Sequence, residues 1–266
     1  MGEGARKFLD VLGSPEYDTA RNEISAMEAN QEKLRAFIGQ RPVVVLGCGN
    51  GRKLAFLAPP RSKSITLVDL SERLIREAER NLGFKVKAMN ADFESMDFSV
   101  FDPGTAFVML GGTLGNLGDI RSFLGKIREV PSSRLVLGLE FLEKNGPDEI
   151  SPILREYDNE TGFGFVFGPL ASLGVRRQDG EIQVSFNRSE SRVEEHFVFS
   201  DARALERLAN LAGVEADKVR RMLLSSSLKT TFPEFCAILE SGKMELVDSF
   251  GKRASRICLV ERSPNQ

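Results

Sequence analysis

The densest run of chemistry-bearing residues is Gly47-Cys48-Gly49-Asn50-Gly51, entered directly from Val43-Val44-Val45-Leu46. Glycines carry no Cβ, so a strand that runs into G-x-G-x-G lets backbone N–H groups approach a ligand closely. Taken alone, the segment is equally a plain tight turn between a strand and a helix. Asp69 sharpens the reading. It ends the next apolar run, Ile65–Asp69, about 20 residues beyond the glycines, where a doubly wound fold sets an acid against a ribose. A carboxylate there accepts hydrogen bonds from both ribose hydroxyls; the competing role is a helix cap, for which Ser71 is also available.

The ligand class follows from spacing. A dinucleotide loop wants G-x-G-x-x-G with the pyrophosphate on the helix N-terminus. Here the third glycine comes one position early, and Arg52-Lys53 follow. A lysine at that point suits a ligand carrying a carboxylate, as the methionine part of S-adenosylmethionine does; the bland role for Lys53 is a solvated surface cation. Asn90-Ala91-Asp92-Phe93 offers an acid as acceptor for an adenine amine and a flat ring as its neighbour, or else a helix cap and a core residue. Leu110-Gly111-Gly112-Thr113-Leu114-Gly115-Asn116-Leu117 is a loop of small residues at a strand end, where open α/β sheets bind their ligands. Gly111 and Gly112 join Gly47, Gly49, Lys53, Asp69, Asp92 and Phe93 as candidate cofactor residues.

These segments need a scaffold that brings strand ends together. Val43–Leu46, Ile65–Asp69, Val86–Met89, Ala106–Leu110 and Arg134–Leu139 read as buried parallel strands, with helices over 72–82 (capped by Ser71) and 121–129 between them. Residues 5–12 and 16–39 have helical apolar spacing, broken at Ser14-Pro15, and a short helix after the glycine turn is ended by Pro59-Pro60. After Phe141 the rhythm changes. Residues 145–162 read as a connection, and Phe163–Phe167, Glu181–Phe186 and Val193–Phe199 as antiparallel strands, with a hairpin-type turn at Gln178-Asp179-Gly180. A helical stretch follows over 201–223, then a helix at Phe232–Glu240 and strands at Met244–Phe250 and Ile257–Val260, turning at Gly251-Lys252. The expected organisation is a helical preface over 1–40, an α/β cofactor domain over 41–144 and 229–266, and an inserted α+β substrate-side subdomain over 145–228.

Composition narrows the partners. The net charge is −2 with both signs interspersed, which argues against a nucleic-acid backbone as main partner. No apolar stretch approaches the roughly 20 residues of a membrane helix, and the first residues lack the apolar core of a secretory signal. Three widely spaced cysteines argue against a disulfide framework and for the cytosol, and one histidine without a Cys-x-x-Cys pair makes no zinc site. Cys48 reads as a small packing residue, and His196, the one candidate for a histidine general base, as structural or surface-exposed instead.

In order along the chain, these motifs resemble the histidine-specific methyltransferase family, S-adenosylmethionine enzymes that methylate the α-amino group of histidine in ergothioneine synthesis. Pro15-Glu16-Tyr17, Arg21 and Glu23 are similar to the family's P-E-Y-x-x-T-R-x-E, with Thr19 one place early. Gly47-x-Gly49-x-x-x-Lys53 has its glycine-to-lysine spacing, Asp92-Phe93-Glu94 matches its D-F-E, Gly112-Thr113-Leu114-Gly115-Asn116 resembles its S-T-I-G-N, and Tyr157-Asp158 its Tyr-Asp. The likeness is good over about residues 12–160. It implies a class I methyltransferase-like (Rossmann-like) parallel sheet with a terminal antiparallel strand. It further implies that Tyr17, Gly47, Lys53, Asp69, Asp92 and Phe93 line the cofactor site, while Asn116 and Tyr157 hold an amino-acid substrate by its backbone end. Beyond residue 160 the pattern departs. Ser225-x-Ser227-x-Lys229 stands where the family has E-x-S-x-K, and Glu195 where it has a methionine near the imidazole. The resemblance thus implies that Ser225, Ser227 and Glu195 form the side-chain end of the acceptor site, with Ser227 matching the family and the other two altered from a set made for histidine.

The function expected is methyl transfer from S-adenosylmethionine to a nitrogen of a small amino-acid-like acceptor. Asn116 and Tyr157 would grip its carboxylate or amine, Tyr17 would border the methyl, and a tyrosine or water would take the proton. The rivals are a protein or other carboxylate acceptor, a nucleoside-binding protein without transfer, and, set back by the glycine spacing, a dehydrogenase.

Overall fold

The computed structural model describes residues 3–13, 18–56, 64–143, 147–252 and 254–263. Ser14-Pro15, the Pro15-Glu16-Tyr17 motif with the candidate Tyr17, and Pro59-Pro60 lie outside the described residues. The chain divides into two units: Asp18–Glu143 with Thr230–Gln266, and Met1–Tyr17 with Lys144–Lys229. The helical preface is therefore not one layer. Helix α1 (Glu3–Gly13) goes with the second unit, and α2 (Asp18–Ala29) and α3 (Gln31–Ile38) go with the first.

In the first unit the chain passes from α3 into β1 (Val43–Leu46), β2 (Ile65–Asp69), α4 (Glu72–Leu82), β3 (Lys87–Asn90), β4 (Ala106–Met109), α5 (Ile120–Glu129) and β5 (Arg134–Leu142). All four residues of β1 are buried: the strand lies inside the sheet between β2 and β4, and α2 and α3 pack over its Val43 and Val45. This is why it reads as an unbroken aliphatic run rather than an alternating one. Strand β3 is the exception to the expected burial: it lies at the sheet edge and is largely exposed. Helix α4 begins where Ser71 Oγ accepts the Leu74 N–H at 3.3 Å and stops at Gly83 in the left-handed conformation. Its Leu74, Ile75 and Ala78 are buried, and burying a side chain of the Leu or Ile kind is worth about 1.5–3 kcal/mol. The stretch read as one helix over 16–39 breaks at Asn30, whose side chain turns back to donate to the Ala26 carbonyl at 2.9 Å. Apolar residues on both fragments, including Met27, Leu34 and Ile38, join the core over β1.

The chain then makes the second unit: α6 (Pro147–Tyr157), α7 (Glu160–Val166), α8 (Gly168–Ser172), β6 (Gly180–Asn187), β7 (Arg192–Phe199), α9 (Ala202–Ala212), α10 (Ala216–Val219) and β8 (Arg221–Leu228). Strands β6, β7 and β8 form an antiparallel sheet in that order. Four expectations give way in this unit. Of the residues 145–162 read as a connection, those described, from Pro147 on, are largely helical. Phe163–Phe167 is helix and not strand: Asn159 caps it by accepting the Gly162 N–H, and Phe163 and Phe167, four apart, bury on one face. Gln178-Asp179-Gly180 is a turn entering β6, and the β6–β7 reversal falls later, ending at Ser191 with φ 52°. The helix over 201–223 stops at Gly213 (φ 67°), and its last residues already belong to β8.

Back in the first unit, the chain adds β9 (Thr230–Thr231) beside β5, α11 (Phe232–Ser241), and the hairpin of β10 (Met244–Lys252) and β11 (Ser255–Arg262). Lys252 pairs with Ser255, so the reversal lies beyond the expected Gly251-Lys252. The main sheet has the order β10-β11-β5-β4-β1-β2-β3, with β1 to β5 parallel and β11 antiparallel to β5. Strand order reverses between β1 and β4, and the carboxyl ends of strands at such a switch point are where this architecture opens a crevice.

Candidate active site

The first unit gathers the cofactor candidates at that switch point. Gly47, Gly49 and Gly51 have φ of 68°, 53° and 73°, a region that costs L-residues a Cβ clash. Gly51 is further constrained: a methyl on it would sit 2.8 Å from the Cα of Ala78, so the turn presses against α4. A methyl on Gly47 would stand 3.2 Å from Thr113 Cγ2 and 3.9 Å from Phe93 Cε1. The ends of β1, β3 and β4 therefore meet around Gly47, in a cradle that a single Cβ would begin to fill.

Asp69 is buried at the end of β2. Its Oδ2 accepts the Gly49 N–H at 3.2 Å and its Oδ1 the Ser71 N–H at 2.9 Å. It thus ties the glycine turn to the start of α4, as the capping reading expects. Burial pushes its pKa up, against the pull of those two amides. Cys48 lies against it, buried, and its thiol is pushed far above the ordinary range, by burial first and by Asp69 second, which disfavours a thiolate there. Asp92 is exposed; its Oδ1 accepts the Glu94 N–H at 2.9 Å, and among the described residues Oδ2 has no partner. Phe93 is buried edge-on to Phe123 at 6.3 Å.

Gly111 and Gly112 both have left-handed φ, 74° and 69°. The Gly112 N–H donates to the Gly138 carbonyl at 3.1 Å, and Thr113 Oγ1 to the Leu110 carbonyl at 2.7 Å, which shapes the loop after β4. Asn116 stands exposed on the short turn 113–116 that follows.

Glu23, from α2, belongs to a motif that carries the family resemblance, yet its spacing gave no reason to place it in the site. Its side chain is fully buried. Both carboxylate oxygens lie within reach of the Gly111 N–H, at 2.8 and 3.0 Å, and Oε2 accepts from the Lys53 ammonium. Lys53 is therefore no solvated surface cation; its side chain is 16% exposed and ion-paired.

In the second unit, Glu195 and Ser225 face each other in register across β7 and β8, and Ser225 Oγ donates to Glu195 Oε2. Glu195 is 3% exposed, and burial pushes its carboxyl up while the Ser225 hydrogen bond works the other way. Among the described residues no cation pairs with it. Ser227, two residues on and opposite Val193, is also buried. Lys229 continues the same alternation, and its ammonium lies 5.4 Å from the centre of the Tyr157 ring. Of the acceptor candidates, Glu195, Ser225, Ser227 and Tyr157 belong to this unit and Asn116 to the first. His196 contacts Arg221 at 3.2 Å through Nδ1 and Glu194 at 3.7 Å, and burial, then Arg221, lowers its pKa. These are the marks of a structural histidine.

No group of three or more His, Cys, Asp or Glu residues among those described could hold a metal ion, and no helix among them is long and apolar enough to cross a membrane.

A family described as histidine-specific methyltransferase, SAM-dependent, matches residues 2–262. No curated protein matches the chain. Among solved structures, an S-adenosylmethionine-dependent methyltransferase from Clostridium acetobutylicum ATCC 824 is 12% identical, with 93% of this chain and 92% of that one covered and a TM-score of 0.51. SAM-bound CalS10, an amino pentose methyltransferase from Micromonospora echinaspora, is 15% identical with 96% and 94% covered and a TM-score of 0.49. The mitomycin 7-O-methyltransferase MmcR is 18% identical at a TM-score of 0.48; 92% of this chain is covered, and it spans only 56% of that protein. The Clostridium likeness agrees with the strand order in giving an α/β, class I methyltransferase-like (Rossmann-like) fold.

Proposed function

We infer the reaction from the premise that this chain belongs to the histidine-specific, S-adenosylmethionine-dependent methyltransferase family, and we propose that its acceptor is the nitrogen of a small amino-acid-like molecule. The observation that carries the reading is the convergence of the β1, β3 and β4 ends on Gly47, with Asp69 beside them at the switch point of the sheet. The cradle suits an adenosyl group. Asp69 would accept from the ribose hydroxyls, Asp92 from the adenine amine beside Phe93, and Lys53 would face the carboxylate of the amino-acid tail. Gly47, Gly49, Gly111 and Gly112 would offer bare backbone. When bound, S-adenosylmethionine supplies an electrophilic methyl on a sulfonium.

What the chain contributes is alignment and exclusion of water, since an in-line displacement needs the nucleophile held at one angle. Asn116 and Tyr157 hold the carboxylate or amine of the acceptor. Tyr17 borders the transferred methyl by resemblance alone. The amine must be neutral to attack, and its proton leaves to a tyrosine hydroxyl or to water. The acceptor's own side chain meets Glu195, Ser225 and Ser227. A buried carboxylate that holds only one hydroxyl donor has acceptor capacity to spare, so that side chain carries an N–H or cationic donor. Three free thiols agree with a cytosolic setting.

A methyl-transfer assay against the amino acids tests this. Asn116→Ala and Tyr157→Phe should each raise the acceptor KM about tenfold, the worth of roughly one hydrogen bond, with affinity for S-adenosylhomocysteine unchanged. Unaltered turnover and KM in both variants would end the assignment.

A further inference from the structure

One buried charge has no task in the transfer itself. Glu23 reaches the first unit's site from α2, and three features show that its place is built rather than incidental. Both its oxygens lie within hydrogen-bond distance of the Gly111 N–H, at 2.8 and 3.0 Å, while Oε2 also takes the Lys53 ammonium. Position 138, in the middle of β5, has no side chain; a methyl there would lie 2.0 Å from Glu23 Oε1. A methyl on Gly111 would lie 3.2 Å from Lys53 Nζ. Two glycines, one within β5 and one just past the end of β4, thus clear the space that the carboxylate and the ammonium occupy. A buried carboxylate is tolerated only when fully paired, and this one is paired with two groups at the cofactor crevice.

We propose that Glu23 is a positioning residue for the amino-acid end of the cofactor: it fixes the Lys53 ammonium and the Gly111 turn as one wall, and acts on the cofactor only through them. The proposal rests on the reading that Lys53 meets the carboxylate tail. An unpaired lysine is a flexible four-carbon stem with a strongly hydrated head, and would extend toward solvent. Held by Glu23, its Nζ stays beside Gly111 with further N–H donors to give. The carboxylate also cancels most of the ammonium's charge, so the pocket takes a zwitterionic tail without favouring bare anions. The adenosyl half, read by Asp69, Asp92 and Phe93, lies outside this arrangement.

The test compares two ligands that share the adenosyl group and differ in the tail. S-adenosylhomocysteine carries the amino acid; 5′-methylthioadenosine lacks it. Calorimetric titration of the full chain should give Glu23→Gln at least a roughly tenfold weaker Kd for S-adenosylhomocysteine, with the Kd for 5′-methylthioadenosine within about twofold of the wild type. Lys53→Met and the Glu23→Gln/Lys53→Met pair should bind S-adenosylhomocysteine alike within about twofold, because with Lys53 gone Glu23 acts only through the Gly111 N–H, which the amide oxygen of glutamine can still accept. Should either single variant not fold, the pair, which buries no lone charge, still tests the proposal: it should bind S-adenosylhomocysteine at least roughly tenfold more weakly than the wild type while keeping 5′-methylthioadenosine within about twofold, and equal losses for both ligands would overturn it. Equal losses for both ligands, no loss for either, or a pair weaker than Lys53→Met by the full factor of Glu23→Gln would each overturn the proposal. Failure of the underlying reading looks different: Lys53→Met would then bind S-adenosylhomocysteine as the wild type does.

Discussion

Replacing Gly138 by alanine reverses an ordinary expectation. In a strand interior alanine is normally better than glycine by about 0.5–1 kcal/mol, because it has less conformational freedom to lose. Here the new Cβ would lie 2.0 Å from Glu23 Oε1, 2.8 Å from its Cδ and 3.1 Å from Leu110 Cδ2. Strand β5 cannot retreat, since it is paired to β4 on one side and β11 on the other. The Glu23 carboxylate must therefore leave its slot, which strands the Lys53 ammonium and leaves the Gly111 N–H without its acceptor. Breaking a buried ion pair from one side costs about 3–5 kcal/mol, a large part of the roughly 5–15 kcal/mol that typically holds a domain together. Urea unfolding of Gly138→Ala should show a loss of about that size. The decisive comparison is the double variant. With Glu23→Ala in place the slot is empty, and adding Gly138→Ala should cost no more than about 1 kcal/mol, Leu110 Cδ2 at 3.1 Å then being the nearest of the neighbours. If Gly138→Ala is neutral in the wild type, or equally harmful in both backgrounds, glycine at 138 is not there to make room for Glu23.

Two further outcomes follow from buried carboxylates. Asp69→Asn should weaken S-adenosylhomocysteine about 10–100-fold, the worth of hydrogen bonds to a charged acceptor; a change within about threefold by calorimetry would remove Asp69 from the ribose. Glu195→Gln tests a pH dependence. Burial raises the folded-state pKa of Glu195 above its unfolded value. Its carboxyl therefore favours the fold most below the ordinary glutamate range, and that contribution is lost as pH rises through the raised value. Melting temperatures of the wild type and Glu195→Gln, followed upward from acid pH, should shift in favour of the glutamine variant across that window and stay parallel above it. Parallel curves throughout would mean that Glu195 titrates normally.

The parallel sheet was legible because its signals are local. A strand covered on both faces must be apolar on both, so Val43–Leu46 announced itself, and Ser71 and Gly83 mark the ends of α4 within one turn of chain. The second unit was misread where one pattern serves two periods. In Phe163-Gly164-Phe165-Val166-Phe167 the rings fall on every second residue, as on one face of a strand, yet those at 163 and 167 also satisfy the helical spacing of four. The Asn159 cap and burial of Phe163 and Phe167 decide for the helix, leaving Phe165 36% exposed. Nothing in a short window ranks those effects.

The site divides along the same line. Glycine turns and strand-end acids are set by backbone geometry close in sequence, which is why Gly47, Asp69 and the Gly111-Gly112 pair could be named from spacing. Glu23 could not, for its partners lie 30 and 88 residues away and its space is made by a glycine on β5. Only packing of α2 over the sheet shows that a motif glutamate, rather than a surface one, is meant. The acceptor end teaches the opposite lesson about reading position by position. Ser225 stands where the resembled family has an acid, and taken alone that serine says the acid is gone. Strand register, shifted by an irregularity just after Glu195, puts Glu195 directly opposite Ser225. Adjacent strands project paired residues to the same face about 5 Å apart, so a carboxylate supplied from β7 can serve the space that one on β8 would have served. On that reading the acid has changed strands, and an acceptor that offers a donor to it would still be selected.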